Sequence, residues 1–188
     1  MKNIFEEAFA LQAFLLEKSL RFCFIGGLAL QRWGELRTTN DIDLTILTGF
    51  SGEGKVVDLL LARYRGRIAN ARETALAARV LLLKSDAGVG IDIALGGMPF
   101  EESTIQRASE GEYLPGISLR TCSAEDLIVH KAFAARPKDW LDIEGIVLRQ
   151  AVLDWHYIEA QLVPLLDLKE EPEHWDALIK LRRRLRGE

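Results

Sequence analysis

The most informative part of the sequence is residues 24–45, which read FIGGLALQRWGELRTTNDIDLT. The apolar run 22–25 is typical of a short buried strand, and the glycine pair at 26–27 interrupts it before a short predicted helix. A second strand is predicted over residues 42–47. Strands that alternate with helices in this way indicate an α/β fold.

The glycine pair has two interpretations. Gly26 and Gly27 lie between a strand and a helix N-terminus, where a phosphate group can approach the backbone closely and where N–H groups and the helix dipole favour negative charge. Glycine pairs also mark ordinary turns, so taken alone this pair indicates only a connection from strand to helix.

Two acidic residues open the second strand. Asp41 and Asp43 are two positions apart, and residues i and i+2 of a strand share a face, so their carboxylates are expected side by side. Adjacent carboxylates repel each other unless they share a proton or a cation, and magnesium bound to nucleotide phosphates is a natural cation for such a pair. Solvated acids at a strand edge are the alternative interpretation.

A third acid interrupts an apolar strand farther along the chain. The apolar runs 79–84 and 90–95 are joined by a glycine-containing turn, which predicts a hairpin of adjacent strands. Asp92 lies in the second run. If that strand neighbours the strand of Asp41 and Asp43, three carboxylates converge, as a two-metal phosphoryl-transfer site requires.

Composition narrows the class of protein. The chain has 188 residues, 48% of them hydrophobic, and a net charge of −4, which fits a compact core domain and argues against a generic polyanion binder. No apolar run reaches the ~18 residues of a membrane-spanning helix, and Glu6 and Glu7 are unlike the start of a signal peptide. We therefore expect a cytoplasmic protein without membrane contact, in which Cys23 and Cys122 are reduced structural thiols.

The rest of the chain is predicted to change from mixed to helical structure. Before residue 122, further elements are expected as helices over 3–19, 56–64 and 100–108 and as a strand over 117–121. After it, helices are expected over 123–135, 137–150, 154–163 and 172–186. The predicted organisation is an α/β core over residues 1–122 and a helical C-terminal region over residues 123–188.

The glycines and acids together resemble the signature of the DNA polymerase β superfamily of nucleotidyltransferases. That signature is a glycine pair, a short helix, Asp-x-Asp on a strand and a later third Asp, and it is matched by Gly26, Gly27, Asp41, Asp43 and Asp92. Within the superfamily, the sequence resembles the AbiEii toxin-type nucleotidyltransferases in four segments, namely GGLAL at 26–30, RTTNDID at 37–43, EDLIVHK at 125–131 and RPKDWLD at 136–142.

The resemblance implies a fold and an activity. The fold would be a nucleotidyltransferase-type mixed β-sheet flanked by helices, with a helical C-terminal part. The activity would be magnesium-dependent transfer of a nucleoside monophosphate from a nucleoside triphosphate, such as ATP, to an acceptor hydroxyl, with release of pyrophosphate. Asp41, Asp43 and Asp92 would be the catalytic residues and the ligands of two magnesium ions, and the nucleotide would be bound by Gly26, Gly27, Thr39, Lys131 and Arg136.

Lys131 can also be judged from its position. It follows Leu127 by four residues and Ile128 by three, so it shares the apolar face of the predicted helix and needs a partner there. A nucleotide phosphate is one such partner, and a carboxylate in a structural salt bridge is the other. Arg136 is a similar candidate, and Asp142 would either orient these cations or serve the first turn of the next helix.

Three functions remain open from the sequence. The first is a toxin-type enzyme that modifies RNA or protein and has an antitoxin protein as its partner. The second is a small-molecule nucleotidyltransferase that inactivates an antibiotic, and the third is a non-catalytic nucleotide- or partner-binding domain. The basic segment 182–186 is consistent with an RNA-binding patch, but cations at a helix C-terminus also complement the helix dipole.

Overall fold

The computed structural model describes residues 3–187, in which seven strands form one mixed sheet. The strands are β1 (Phe22–Phe24), β2 (Asp41–Leu47), β3 (Arg65–Gly66), β4 (Val80–Lys84), β5 (Gly90–Gly96), β6 (Ser109–Leu114) and β7 (Ile117–Thr121). Their order across the sheet is β3-β4-β5-β2-β1-β7-β6. The expected mixed α/β fold is confirmed, because β2 with β5 and β1 with β7 are parallel pairs in an otherwise antiparallel sheet.

Nine helices accompany the sheet in the same described range. They are α1 (Ile4–Glu17), α2 (Gly26–Trp33), α3 (Glu53–Leu61), α4 (Ala71–Ala78), α5 (Pro99–Arg107), α6 (Ala124–Ala134), α7 (Pro137–Arg149), α8 (Trp155–Lys169) and α9 (Glu173–Arg186). Among residues 3–187, none of them has the length and apolar character that crossing a membrane requires.

The chain divides into two compact units. Unit 1 comprises the chain up to Leu28 together with Thr38–Cys122, and it contains the whole sheet. Unit 2 comprises Ala29–Arg37 and the chain from Ser123 onward, so it is helical. The segment Ala29–Arg37 precedes the boundary that the sequence analysis set at residue 122, and it nevertheless belongs to the helical unit.

The core of unit 1 is built on alternation along β2. Ile42, Leu44 and Ile46 are completely buried against helices such as α1, whereas Asp41 and Asp43 lie on the opposite face and are partly exposed. This is the period-two pattern of a strand with one face in the core. The predicted hairpin is also confirmed, because β4 and β5 pair in antiparallel fashion. One face of β2 therefore packs in the core, and the acids lie on the opposite face.

The helices of unit 2 begin where the sequence signals predict. Ser123 caps α6 by accepting a hydrogen bond from the Asp126 amide at 3.1 Å, and Pro137 occupies the first turn of α7, where its missing N–H costs nothing. One predicted boundary is wrong. The helix expected to end at residue 163 continues through Pro164 to Lys169, because Ile158, Leu162 and Leu166 are buried along one face of α8 and offset the hydrogen bond that proline removes.

Three elements lie outside the sequence-based prediction. They are β3, α4 and β6, which are a two-residue strand, a short alanine-rich helix and an acidic edge strand. None carries a strong apolar period, and their structure depends on neighbouring strands and helices. Cys23 and Cys122 are both buried, as is expected of structural thiols.

Candidate active site

Asp43 and Asp92 lie directly opposite each other on β2 and β5, two neighbouring interior strands of the sheet. β2 and β5 are parallel neighbours, and these two residues are Cα partners in their ladder, while Asp41 is the partner of Gly90. The strand adjacency on which the three-carboxylate hypothesis depended is therefore confirmed. All three carboxylates project from the same face and are partly exposed, so a ligand in solvent can reach them.

The glycine pair makes room for one of these carboxylates. Gly26 has a φ of +55°, and a Cβ atom at this position would overlap the carboxylate of Asp43. The Gly27 amide donates to Asp43 Oδ2 at 3.4 Å, and a Cβ atom on Gly27 would overlap the Thr39 hydroxyl. Thr39 Oγ1 in turn donates to the backbone oxygen of Asp41 at 3.1 Å. The first turn of α2 and the start of β2 thus meet closely, as only glycine allows.

A cation that the sequence analysis missed lies among these acids. Arg67 Nη2 donates to Asp92 Oδ1 at 2.6 Å, and Arg67 Nη1 is 3.7 Å from Asp41 Oδ1. Gly90 makes this arrangement possible, because a Cβ atom there would overlap the Asp41 carboxylate and lie 2.9 Å from Arg67 Nη1. The signal in the sequence was the basic run 63–67 in a chain of net negative charge, but β3 is too short for periodicity to reveal it.

The donor set of unit 1 fits magnesium by its chemistry. Asp41, Asp43 and Asp92 supply the carboxylate oxygens that this hard cation prefers. Two of them, Asp43 and Asp92, lie directly opposite each other on neighbouring strands. Within residues 3–187, no group of three or more His, Cys, Asp or Glu side chains surrounds a common point that would hold a metal ion. Asp41 and Asp92 are instead engaged by Arg67. These carboxylates are thus suitable ligands that a guanidinium already neutralises in part.

The cations expected to bind nucleotide, Lys131 and Arg136, lie in unit 2. Lys131 is buried, and its ammonium is 2.5 Å from Asp142 and 3.4 Å from Asp139. Arg136 Nε donates to Asp139 at 2.6 Å, and Arg37 forms two hydrogen bonds to Asp142 at 2.9 and 3.0 Å. Lys131 therefore has the carboxylate partners that the sequence analysis gave as the alternative to phosphate, and its role in nucleotide binding stays a prediction.

The two carboxylates of this cluster are held in their ionised form. Burial raises the pKa of Asp139, but hydrogen bonds from Arg136 and the charge of Lys131 outweigh it and leave the pKa below its ordinary value. Burial likewise raises the pKa of Asp142, and hydrogen bonds from Arg37 and Lys131 bring it below the ordinary value. The cluster is thus a network of charges that are paired inside unit 2 at neutral pH.

Several arginines of the basic segment 182–186 make contacts inside unit 2. The Arg182 guanidinium stacks 4.7 Å from the ring centre of Trp155, and Arg184 forms an ion pair with Glu144 at 3.0 Å. Arg186 donates to the backbone oxygen of Val147 at 2.9 Å. These contacts favour the interpretation of a helix end over that of an RNA-binding patch.

The comparison with protein families agrees with this geometry. Residues 10–162 match the family described as nucleotidyl transferase AbiEii toxin, Type IV TA system. The chain belongs to the AbiEii family. The matched range includes β2 and β5, which carry Asp41, Asp43 and Asp92, and it also includes Lys131 with its carboxylate partners. This AbiEii-family chain is therefore a nucleotidyltransferase. A comparison with curated protein sequences gave no match.

Solved structures share the fold of this AbiEii-family protein at low sequence identity. An antigenic nucleotidyltransferase-like protein from Paracoccidioides brasiliensis is 15% identical with a TM-score of 0.55, and the alignment covers 93% of this chain and 91% of that one. The antibiotic-resistance factor ANT(2'')-Ia is 21% identical with a TM-score of 0.53 and coverages of 92% and 95%. The lincosamide antibiotic adenylyltransferase LnuA, with lincomycin bound, is 16% identical with a TM-score of 0.52 and coverages of 75% and 94%.

Proposed function

We propose that this AbiEii-family protein transfers a nucleoside monophosphate from a nucleoside triphosphate to an acceptor hydroxyl and releases pyrophosphate. The observation that carries the proposal is the register of β2 and β5, which sets Asp43 opposite Asp92 with Asp41 on the same face. Three carboxylates on neighbouring strands are the donor set that magnesium-assisted phosphoryl transfer uses. β2 and β5 lie inside the sheet and not at its edge, and glycines make room for the carboxylates, neither of which solvated acids at a strand edge would require.

Each residue of the site has a role in the proposed reaction. Asp41, Asp43 and Asp92 would hold magnesium, which when bound neutralises charge on the triphosphate and on the attacking and leaving oxygens. Gly26 and Gly27 would receive the triphosphate at the first turn of α2, where backbone N–H groups favour an anion. Thr39, whose hydroxyl lies beside Gly27, would also contact the nucleotide. Lys131 and Arg136 stay predicted nucleotide contacts.

The group transfer itself balances without any further reactant. The acceptor hydroxyl gives its proton to the Asp92 carboxylate, and its oxygen forms a bond to the α-phosphorus of the nucleotide. The bond from the α-phosphorus to the oxygen bridging the α- and β-phosphates breaks, and pyrophosphate leaves with that electron pair. The chain therefore acts by positioning the reactants and by accepting one proton, and no covalent intermediate on the protein is needed.

The acceptor in this proposal is a macromolecule, RNA or protein. The family description names a toxin of a toxin–antitoxin system, which supports a toxin role and an antitoxin protein as partner. A small-molecule acceptor is the second candidate, because ANT(2'')-Ia and LnuA, which share the fold, are an antibiotic-resistance factor and an antibiotic adenylyltransferase. The two candidates use the same residues of unit 1 and differ only in the acceptor.

A transfer assay tests the activity and identifies the acceptor class. Purified protein would be incubated with magnesium and each α-labelled nucleoside triphosphate, and offered total RNA, total protein, an aminoglycoside set or a lincosamide. The Asp41→Asn/Asp43→Asn double variant is the inactive comparison, and Asp86→Asn is the matched control, because Asp86 is exposed in the β4–β5 turn and paired with Arg63. Label in RNA or protein supports the toxin role, and label in an antibiotic supports the second candidate.

Two further outcomes contradict the proposal. Equal transfer by the double variant and by the wild-type protein would show that these aspartates do not carry the chemistry. Absence of both transfer and magnesium-dependent nucleotide binding would favour the non-catalytic interpretation that the sequence left open.

A further inference from the structure

Arg67 directly follows β3 and continues a row of residues that crosses three strands, β4, β5 and β2. The Arg67 amide donates to the Leu82 oxygen at 2.9 Å, Leu82 is the Cα partner of Asp92, and Asp92 is the partner of Asp43. The guanidinium must therefore reach across β4 to meet the acids, and it ends with Nη2 at 2.6 Å from Asp92. A long side chain that crosses a neighbouring strand to reach an acid is placed by the fold, not by local sequence.

The same guanidinium also faces the third position of the acid cluster. Arg67 Nη1 is 3.7 Å from Asp41, and the missing side chain of Gly90 provides the space between them. Arg67 thus neutralises two of the three carboxylates that the proposed function assigns to magnesium. Adjacent carboxylates repel each other in the absence of a cation, and the positive charge of the Arg67 guanidinium reduces this repulsion when no metal is bound.

We propose that Arg67 is a displaceable counter-ion of this site, and that a divalent cation must compete with its guanidinium for Asp92 and Asp41. This inference rests on the proposed function, because it assumes that the divalent cation binds these aspartates. Arg67 is a positioning residue in this proposal. Its positive charge reduces the repulsion between the carboxylates, and it sets the metal concentration that the protein requires.

The competition follows from charge and geometry. A guanidinium and a divalent cation at one carboxylate pair repel each other, and Asp92 Oδ1 is already engaged by Nη2. The pair is also weak enough to be displaced, because the side chains of Arg67 and Asp92 are 33% and 32% exposed and such partly solvated ion pairs contribute little. Because the Arg67 side chain contacts solvent, water can solvate its guanidinium once it is displaced.

Manganese binding in the absence of nucleotide tests the competition directly. Mn²⁺ would be titrated into the full chain and followed by the electron paramagnetic resonance signal of free Mn²⁺, for the wild-type protein, Arg67→Gln and Arg67→Lys. Arg72→Gln is the matched control, because Arg72 is also paired with an aspartate, Asp58 at 2.7 Å, but lies on α4. Asp92→Asn identifies the binding as that of this site.

The expected result is a change in affinity that depends on the Arg67 side chain. Arg67→Gln should bind Mn²⁺ about 1.5- to fivefold more tightly than the wild-type protein, as the loss of one partly exposed competing charge predicts. Arg67→Lys should fall between the two, Arg72→Gln should match the wild-type protein, and Asp92→Asn should weaken binding. If Arg67→Gln fails to fold, as judged by circular dichroism, the Arg67→Lys value decides.

The other outcomes separate this inference from the proposed function. Equal or weaker Mn²⁺ binding by Arg67→Gln, with Asp92→Asn still impaired, would overturn the role of Arg67 as a competitor and leave the metal site in place. Weaker binding in particular would mean that Arg67 supports the site. Absence of Mn²⁺ binding in every variant would overturn both the metal site and this inference.

Discussion

Asp92 lies beside Asp43 across one parallel strand pair, although 48 residues of other structure separate them in the chain. Their register is fixed because both strands bury Ile and Leu side chains on the core face, so a shift by one residue would expose that face and hide the acids. The same packing that stabilises the sheet therefore positions the carboxylates. This coupling gives the substitutions below separate effects on activity and on stability.

Replacing Asp43 by asparagine is expected to abolish activity without unfolding the protein. Asparagine keeps the size of the side chain and removes the charge, so transfer should fall on the order of 10²–10³-fold or more, as for the loss of one preorganised electrostatic group. The thermal midpoint should not fall, since one of three clustered negative charges has gone. A radiolabel transfer assay and a thermal melt, with Asp86→Asn alongside, measure both. Full activity of Asp43→Asn would contradict the assignment.

Replacing Gly90 by alanine is expected to damage the site more than the fold. The new Cβ atom would displace the ends of the Asp41 and Arg67 side chains, which can move into solvent at little cost. Displacement of the Asp41 carboxylate, a proposed magnesium ligand, by about 1 Å is expected to lower transfer on the order of 10²-fold.

Gly54→Ala is the matched control for this change. A Cβ atom at Gly54 would meet only Arg72, at 3.8 Å, in the first turn of α3. Gly90→Ala and Gly54→Ala should differ in their transfer rates but not in their urea unfolding curves. A large loss of stability in Gly90→Ala with normal activity per folded molecule would contradict the role of Gly90 in making room for the site.

Replacing Lys131 by methionine is expected to destabilise unit 2. The change leaves Asp142 and the completely buried Asp139 without the ammonium between them, and breaking a buried ion pair in this way costs about 3 kcal/mol. Urea unfolding of Lys131→Met against Lys138→Met, an exposed lysine of α7, measures the loss.

The nucleotide-binding role of Lys131 makes a different prediction. If Lys131 contacts phosphate, its loss should raise KM for the nucleoside triphosphate under conditions where the variant is fully folded. An unchanged KM in folded Lys131→Met would leave Lys131 a structural residue alone.

The stability of the protein should depend on pH through Asp139 and Asp142. Their pKa values are lower in the folded chain than in the unfolded chain, so the stabilisation is complete above the ordinary carboxyl pKa of about 3.9 and is lost as pH falls through the folded values. The free energy of unfolding of the wild-type protein minus that of Asp142→Asn should be constant from pH 7 to pH 5 and shrink below pH 4. A difference that stays constant at pH 3.5 would contradict this prediction.

The sequence predicted the elements that carry their own local signal. The strands containing Asp43 and Asp92, the hairpin of β4 and β5, and the start of α6 at Ser123 were all found, because alternation, turn glycines and capping residues act over a few neighbouring positions. The failures occur where tertiary packing overrides a local signal. Pro164 was taken as a helix end, whereas burial of one face of α8 outweighs the lost hydrogen bond.

The sequence by itself determined that Asp41 and Asp43 share a strand face behind a glycine pair, since that follows from a period of two and from backbone freedom. Only the tertiary structure decided that β5 is the neighbour of β2, that Arg67 reaches across β4 to Asp92, and that Lys131 meets two carboxylates. Those relationships depend on which strands pair and which helices pack together. Such choices minimise exposed apolar surface over the whole chain, and no short segment contains the information that fixes them.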